Sequence, residues 1–330
     1  MEGNGLTTET PLSTSTLPET STTENNGVME VYIFVVGSGD RARSKKTEIV
    51  SLTEGDSIPD CLNALSDHPN QLFHATGGAL PDAGYLPHTC GSYYSPLDEC
   101  WVYKPSEDTW TKASTIPRTI DNAASAFHPA WGIIMSGIHG QYAEVITTKD
   151  AEYFEELEPL PDYSVNYCVA AIDENTIFVT GLGWNDDESF KYDRDKKEWI
   201  SLPNMPTGRY FLGCGVVRDG SGKIEVIVFG GIDTEYNEKL DLVEIFDIEE
   251  NSWRTASNPF PTEITSPSVA QHDNMFYVVG GIDDGDNRLD TIYRYEATDE
   301  SWQLMPNRMK FGRYEATSMM VNASIFPSCD

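Results

Sequence analysis

Short apolar runs, each ending in glycine, recur along the chain and alternate with polar and often acidic stretches. Six such runs occur at intervals of forty to sixty residues, and they end at Gly37, Gly77, Gly137, Gly181, Gly230 and Gly280. Further short apolar segments, bounded by Gly, Pro, Asn and Asp, surround each run and predict four strands joined by turns. The pattern therefore predicts a repeat protein built from small β-sheets.

A second periodic feature follows the glycine strands, because an aromatic residue lies seven positions before a tryptophan. The pairs are Tyr103/Trp110, Tyr192/Trp199, Phe246/Trp253 and Tyr295/Trp302, and the third unit keeps the spacing with Ile146 and Tyr153. Tyr and Trp provide broad, flat surfaces that can fill the space between neighbouring sheets. Since one small sheet cannot bury both of its faces, we expect the units to stack around an axis.

The two features together resemble the kelch repeat over residues 30–322. The resemblance is carried by the aromatic-to-Trp spacing and by the double glycines Gly77–Gly78, Gly230–Gly231 and Gly280–Gly281. Gly137 and Gly181 lack an immediate second glycine, and the first unit has no Trp. The resemblance implies an all-β fold, a six-bladed kelch-type β-propeller with four antiparallel strands per blade. It also implies a binding platform, because most members of the family bind partners and only a minority are enzymes.

The two ends of the repeat region indicate how the ring closes. The first glycine strand has only a polar tail ahead of it, whereas the segment GRYEATSMMV near the C-terminus resembles an inner strand without a following partner. We expect the C-terminal strand to complete the first blade, since an open propeller would expose strand edges. The predicted domains are a disordered Thr/Ser-rich tail (1–29), the propeller (30–322) and a C-terminal tail (323–330).

The charge balance excludes some classes of partner. The formal net charge is −31, which argues against nucleic acid and anionic membranes, since both attract a positive surface. A cationic partner is favoured instead. No segment reaches the eighteen or so apolar residues of a membrane span, so no membrane insertion is predicted.

The six cysteines bear on compartment and stability. Cys90 and Cys100 bracket a short segment of one long insertion, which makes them a candidate disulfide. Cys168 and Cys214 lie in probable inner strands and are predicted to be buried apolar residues. The Thr/Ser-rich tail and the candidate disulfide favour a secreted protein. The lack of a visible signal peptide favours a cytoplasmic one, and the sequence leaves both open.

We label the four strands of each unit A to D in chain order, with the glycine strand as strand B. In a propeller the B–C loops and the D–A crossovers share one face, so the residues of that face can be predicted. The loop after Gly77 is the longest, and long loops are usually functional or disordered. It carries Tyr85, Tyr93 and Tyr94, which we predict to form a contact surface; the alternative is a loop that merely packs over the rim. His88 and His139 are the only two histidines that could meet on this face, and the sequence predicts neither a metal site nor a cofactor.

The crossovers contain a second candidate set. Arg118, Arg209 and Arg313 each precede a predicted inner strand, and Tyr210 and Tyr314 follow two of them. We predict that these arginines ring the channel mouth and bind carboxylates of a peptide. The alternative is that each arginine pairs with an Asp or Glu of a neighbouring blade, which a chain so rich in carboxylates favours.

The last three B–C loops are acidic. Their carboxylates are Asp186, Asp187, Glu188, Asp233, Glu235, Asp283, Asp284 and Asp286. The segment DDGDNRLD lacks the ligand spacing of an EF-hand, so calcium is not favoured. A solvated acidic rim is the first interpretation, and a site for a basic partner is the second.

No catalytic motif appears in the sequence, since the nucleophile elbow, the phosphate-binding glycine loop and the zinc-protease motif are all missing. We therefore predict a protein–protein interaction module, not an enzyme, that presents its B–C loop face to a protein or peptide partner. The alternative is a metal-dependent enzyme or carbohydrate-binding propeller that uses the same funnel.

Overall fold

The architecture is that of a six-bladed β-propeller. The computed structural model describes residues 30–37, 44–53, 58–80, 84–91, 98–119, 121–139, 142–162, 167–218, 221–272 and 274–328, with residues 121–123, 138, 139, 142, 272 and 275 described by their backbone only. The predicted tail (1–29) lies outside these residues. Within the described residues, the regular elements are strands apart from two short 3-10 helices, at Asp60–Leu62 and Ala323–Ile325.

Each blade is an antiparallel sheet whose strands run outward from the axis in the order A to D. The strands, in chain order within each blade, are as follows. Blade 1 has β1 (Val31–Val36) and β2 (Thr47–Ser51). Blade 2 has β3 (Thr76–Leu80), β4 (Leu86–Cys90), β5 (Glu99–Lys104) and β6 (Thr109–Thr115). Blade 3 has β7 (Asp121–His128), β8 (Gly132–His139), β9 (Tyr142–Thr148) and β10 (Glu155–Glu156). Blade 4 has β11 (Cys168–Ala171), β12 (Thr176–Leu182), β13 (Glu188–Asp193) and β14 (Glu198–Leu202).

Blades 5 and 6 carry additional short ladders on the loop face. Blade 5 has β16 (Gly213–Arg218), β17 (Ile224–Phe229), β19 (Val243–Asp247) and β20 (Ser252–Thr255), and blade 6 has β22 (Ser268–His272), β23 (Met275–Val279), β25 (Ile292–Glu296) and β26 (Ser301–Leu304). In the ladders, the crossover strands β15 (Arg209–Tyr210) and β21 (Ile264–Thr265) pair with the loop strands β18 (Ile232–Asp233) and β24 (Ile282–Asp283). Through these two ladders, the crossovers that enter blades 5 and 6 are hydrogen-bonded to the B–C loops of the same blades.

The C-terminal strand closes the ring, which confirms the prediction. The strand β27 (Thr317–Asn322) pairs antiparallel with β1, from Val31 opposite Asn322 to Val36 opposite Thr317. It thereby becomes the inner strand of blade 1, which has three strands among the described residues. The six inner strands contact one another in sequence, and β27 contacts both β3 and β22, so no inner edge is left open.

Hydrophobic packing between the blades holds the ring together. Alternate side chains of β1 point to opposite neighbours, because Ile33 and Val35 pack toward blade 6 while Phe34 and Val36 pack toward blade 2. The described residues form six such clusters, one at each junction between blades. Each sheet therefore buries both faces, as the repeat argument requires.

The aromatic-to-Trp spacing is a cross-strand pair in the C–D hairpin. Tyr295 lies opposite Trp302, for example, and their ring centroids are 4.8 Å apart. The indole of Trp199 donates a hydrogen bond of 2.8 Å to Glu158 O, at the outer end of the preceding blade. Tyr153 does not take this position, because it is 79% exposed and Ile146 lies opposite Glu156.

The predicted strand order of blade 2 is wrong. Gly77 and Gly78 lie in the inner strand β3, and strand B is β4, which is followed by Gly91 with a φ of +68°. Inner strands crowd around the axis, and a Cβ at Gly77 would come within 2.3 Å of Thr317 Cγ2. The double glycine here allows close strand packing and does not mark the end of strand B.

Two disulfides connect described residues. Cys90 and Cys100 lie opposite each other on β4 and β5, and their sulfur atoms are bonded at 2.00 Å. Cys168 and Cys214 join the inner strands β11 and β16 of neighbouring blades. The prediction that these two are buried apolar residues is wrong, because it did not allow for a bond between the inner strands of neighbouring blades. Cys61 is disulfide-bonded as well.

Residues beyond the propeller strands pack against blade 1. Ala323 donates a backbone hydrogen bond of 2.9 Å to Glu30 O, and the buried ring of Phe326 lies 6.0 Å from that of Tyr32. Among the described residues, no helix has the length and apolar character needed to cross a membrane.

Candidate functional site

A Gly-Arg-Tyr segment occurs in two crossovers, at residues 208–210 and 312–314. A Cβ at Gly208 would lie 2.0 Å from Asn185 O, and one at Gly312 would lie 2.1 Å from Arg288 O. Only glycine therefore lets each crossover lie directly on the B–C loop of the blade that it leaves. This contact fixes the position of the following arginine and tyrosine.

Arg209 and Arg313 are fully buried, each with 0% relative exposure. Arg209 pairs with Glu244 on β19, and Arg313 contacts Glu48 on β2 through Nε at 2.8 Å and Nη2 at 2.7 Å. Their other donors reach backbone carbonyls, such as Leu242 O at 3.1 Å from Arg209 Nη1. The prediction that these two arginines ring an open channel mouth is wrong, because their charges are compensated in the interior.

Arg118 forms a third pair of the same kind but remains 44% exposed. Its guanidinium contacts Glu144 on β9 at 3.2 Å and Glu156 at 3.1 Å. The three glutamates that pair with the crossover arginines, Glu48, Glu144 and Glu244, lie near the start of strand C in blades 1, 3 and 5. The sequence contained a signal for them, since each glutamate precedes an apolar run, in TEIV, AEVI and VEIF.

Four other residues surround the mouth of the channel on the loop face. His74, Phe211, Ser266 and Glu315 each lie two positions before an inner strand, and each has a positive φ between 48° and 56°. Backbone hydrogen bonds link three of them, from Glu315 N to Ser266 O at 3.0 Å and from Ser266 N to Phe211 O at 2.9 Å.

The mouth opens into a small cavity of about 140 Å³. His74 Nε2 lies 3.0 Å from Glu315 Oε2, which connects the inner strands of blades 1 and 2 at the point of closure. The Cys168–Cys214 disulfide also lines this cavity. Small residues such as Ser125 and Gly213 make up much of the remaining lining.

Of the three tyrosines predicted to form a contact surface on the long loop, the structure describes only Tyr85. Tyr85 lies in the A–B turn of blade 2, on the face opposite the B–C loops. His88 is buried within β4, where burial lowers its pKa, so it does not lie in a B–C loop. These placements follow from the corrected strand order of blade 2. Tyr93 and Tyr94 lie outside the described residues.

Two exposed aromatic residues on the loop face were not singled out from the sequence. Trp184, in the B–C loop of blade 4, is 95% exposed, and Tyr236, in the B–C loop of blade 5, is 67% exposed. The sequence signal was available, because both follow the glycine that ends strand B by only a few residues. An aromatic side chain in that position extends away from the hydrophobic junctions between blades.

Hydrogen bonds connect the two loops that carry these rings. Thr234 Oγ1 donates to Asp186 Oδ2 at 3.0 Å, which joins the loop of blade 5 directly to that of blade 4. Tyr210, in the crossover between them, is half-buried and donates to Asn237 Oδ1 at 3.1 Å. The backbone of Arg209 donates to Asp186 O at 3.0 Å. The two loops and their crossover therefore form one connected frame.

The frame continues into blade 6. Lys239 Nζ contacts Asp283 O at 2.6 Å and Asp286 Oδ1 at 2.5 Å, so it connects the loops of blades 5 and 6. Tyr314 lies beyond, with the guanidinium carbon of Arg288 5.5 Å from the centre of its ring. Across the described residues, no group of three or more His, Cys, Asp or Glu side chains is arranged to hold a metal ion.

The fold and the arrangement of its faces define a six-bladed β-propeller with an aromatic and acidic loop face. Comparison with known families adds the repeat type, since the Kelch motif matches residues 225–259 and 265–309, which cover most of blades 5 and 6. The chain is therefore a six-bladed β-propeller with kelch motifs in blades 5 and 6.

Curated relatives are kelch-like proteins. Kelch-like protein 41b of Danio rerio is 27% identical over 155 residues, which cover 44% of this chain and 24% of the relative. Kelch-like protein 40 of Xenopus laevis is 28% identical over 159 residues, covering 45% of this chain and 25% of the relative. The matched part thus spans about a quarter of the length of these relatives. The fold and the relatives support a protein-interaction module in general terms.

Proposed function

We propose that this propeller binds a protein or peptide partner on the face formed by its B–C loops and D–A crossovers. One observation carries the proposal: Trp184 and Tyr236, 95% and 67% exposed, lie on neighbouring loops of that face. Trp and Tyr are enriched among the residues that dominate binding energy in protein interfaces. Exposed aromatic surface of this kind is typical of an interaction site.

The connected frame beneath the rings supports the same function. Asp233 Oδ1 accepts the backbone N–H groups of Glu235 and Tyr236, at 2.7 and 2.9 Å, and so orders the loop that presents Tyr236. A surface already ordered before binding loses little conformational entropy when a partner docks. Tyr210, Tyr314 and Arg118 border this face with partly exposed side chains and belong to the proposed surface, whereas the buried Arg209 and Arg313 support it from within.

The alternative function, a metal-dependent enzyme or a carbohydrate-binding propeller, gains no comparable observation from the described residues. His88 is buried in a strand, and the acidic loops use several of their carboxylates to order their own backbone. Kelch-repeat propellers are typically protein-binding domains without catalysis, so interaction remains the function that the geometry supports best.

Peptide selection tests this function. A displayed peptide library is panned on the intact protein, and the affinity of the selected peptides is measured by calorimetry. Trp184→Ala and Tyr236→Ala should each weaken binding by about tenfold or more, as expected for interface anchors. Tyr153→Ala is the matched control, because Tyr153 is 79% exposed on the opposite face. Equal binding by the wild-type protein and both loop variants would refute the proposal.

A further inference from the structure

The two loops around Trp184 and Tyr236 carry a strong local excess of negative charge. Residues 183–188, 203–212 and 232–242 contain seven carboxylate side chains and two basic ones. Both basic residues are engaged by acidic groups, since Arg209 is buried against Glu244 and Lys239 contacts Asp286. The surface around the exposed rings is therefore acidic even where basic side chains are present.

Each of the two exposed rings has a carboxylate close to it along the chain. Glu235 directly precedes Tyr236 and raises the pKa of its hydroxyl by hydrogen bonding and by charge. Asp187 lies three residues after Trp184, and its backbone O accepts a hydrogen bond of 2.8 Å from Met205 N. This bond holds the loop segment at Asp187 against the crossover. Each ring is thus accompanied by a carboxylate on an ordered loop.

The negative charge in the loop of blade 4 also acts on its neighbours. The pKa of Glu188 is raised, first by burial and then by repulsion from Asp162 and Asp187. Neighbouring carboxylates of like charge favour the protonated form of a carboxyl group, whereas a cation beside them favours the charged form. A cation bound near this loop would reduce the repulsion between its carboxylates.

We infer that the acidic aromatic patch, defined as Trp184, Asp187, Glu235 and Tyr236, binds a basic peptide segment through its Lys or Arg side chains. The inference rests on the proposed function and specifies the partner's chemistry. Aromatic faces attract cations through their quadrupole, Trp most strongly, and carboxylates add an ionic and hydrogen-bonding partner. The negative field of the three acidic loops steers such a segment toward this sector of the face.

Other chemistries fit the patch less well. An acidic peptide would meet seven carboxylates without an uncommitted basic group in these two loops and their crossover. A purely apolar peptide would cover the rings but leave the adjacent carboxylates partly desolvated without a partner, which is costly. A segment that carries both a cation and apolar stem, as Lys and Arg do, satisfies both features.

The charge of the selected peptides tests the inference. A charge-balanced peptide library is panned on the intact protein at low salt, in parallel with the Trp184→Ala/Tyr236→Ala variant. The selected peptides should carry Lys or Arg, and replacing those residues by norleucine or citrulline should weaken binding at least tenfold. Raising the salt from about 50 to about 500 mM should weaken binding severalfold, because exposed charges are screened.

Charge-neutralising variants separate the roles of ring and carboxylate. Asp187→Asn/Glu235→Gln should weaken binding of a selected basic peptide about fivefold or more, since it keeps both rings and removes two charges. Glu152→Gln/Tyr153→Ala is the matched control, because it changes an adjacent carboxylate and aromatic ring on the opposite face. That control should bind the peptide as the wild-type protein does.

The outcomes distinguish this inference from the proposed function. Peptides that are neutral or acidic, yet still depend on Trp184 and Tyr236, would overturn the inference and leave the interaction function standing. Basic peptides that bind the Trp184→Ala/Tyr236→Ala variant as tightly as the wild type would show non-specific attraction to an acidic protein and overturn both. A library that yields no peptide above background would count against both as well.

Discussion

Two buried arginines, each paired with a glutamate, fix the position of the crossovers in this propeller. Arg209 and Arg313 bring a full charge into the protein, where burial lowers the pKa of Arg209 and Glu244 opposes that shift. A buried ion pair adds little over a well-packed apolar pair, but losing one partner leaves a charge without compensation. The pairs therefore fix each crossover against strand C of the blade that it enters.

Removing one partner of a buried pair should be far more damaging than removing an exposed one. We expect Glu244→Gln to lower the free energy of unfolding by about 3–5 kcal/mol, because Arg209 would remain buried and unpaired. Glu156→Gln is the matched control, since Glu156 contacts Arg118 at 3.1 Å with 40% of its side chain exposed. It should cost about 1 kcal/mol or less. Urea unfolding measures both, and equal effects would contradict the expected difference.

At the scale of single elements, the aromatic-to-Trp spacing is a local feature of the C–D hairpin. An aromatic residue and a Trp seven positions later face each other across one tight hairpin, as Tyr192 and Trp199 do at 5.1 Å. Such a pair depends on sequence distance alone, so the sequence predicted it in four blades. Blade 3 departs from it, because there the residues at this spacing are not opposite each other.

The same reasoning explains the error in blade 2. The interval from the glycine that ends strand B to the Trp is 18 residues for Gly181 and 22 for Gly280, whereas Gly77 precedes Trp110 by 33. Gly91, which does end strand B, precedes it by 19. The interval was thus a better guide than the double glycine, which close packing around the axis also produces.

The two disulfides join different kinds of elements and should differ in effect. The Cys168–Cys214 bond closes a separation of 46 residues between two blades, and Cys90–Cys100 closes one of 10 within a single hairpin. On loop entropy, replacing each pair by alanine should cost about 4 and about 3 kcal/mol, respectively. Denaturant unfolding of the two double variants compares them.

The oxidation state of the native protein is the control for this comparison. Alkylation without reductant, followed by peptide mapping, should find Cys90 crosslinked to Cys100 and Cys168 to Cys214. Free thiols at these positions in the natively produced protein would contradict the pairing and remove the basis for the stability difference.

At the scale of the whole molecule, stability depends on the closure of the ring. The strand β27 pairs with β1, and its side chains contribute to the clusters on both sides of blade 1, through Met319 and Met320. Without it, β1 would present an unpaired edge at the axis. Closure thus joins residues that are almost three hundred positions apart, such as Val31 and Asn322.

A deletion and a permutation test this closure together. Deleting residues 317–330 should abolish cooperative thermal unfolding and cause aggregation, because two interblade clusters and the inner edge of blade 1 are lost. A circular permutant that begins at Gly312 and links residue 328 to Glu30 restores the strand, and it should melt cooperatively as a monomer. Circular dichroism and size-exclusion chromatography measure both. A deletion variant that stays monomeric with an unchanged Tm would show that β27 is dispensable.

The sequence by itself determined the repeat, the number of blades and the closing strand, because these follow from hydrophobic patterns and spacings within each unit and from their recurrence along the chain. Only the tertiary structure decided which side chains meet in space. It paired Arg209 with Glu244 and Cys168 with Cys214, and it left Trp184 and Tyr236 in solvent. Those outcomes depend on the packing of blades around an axis, which spacing along the chain does not encode.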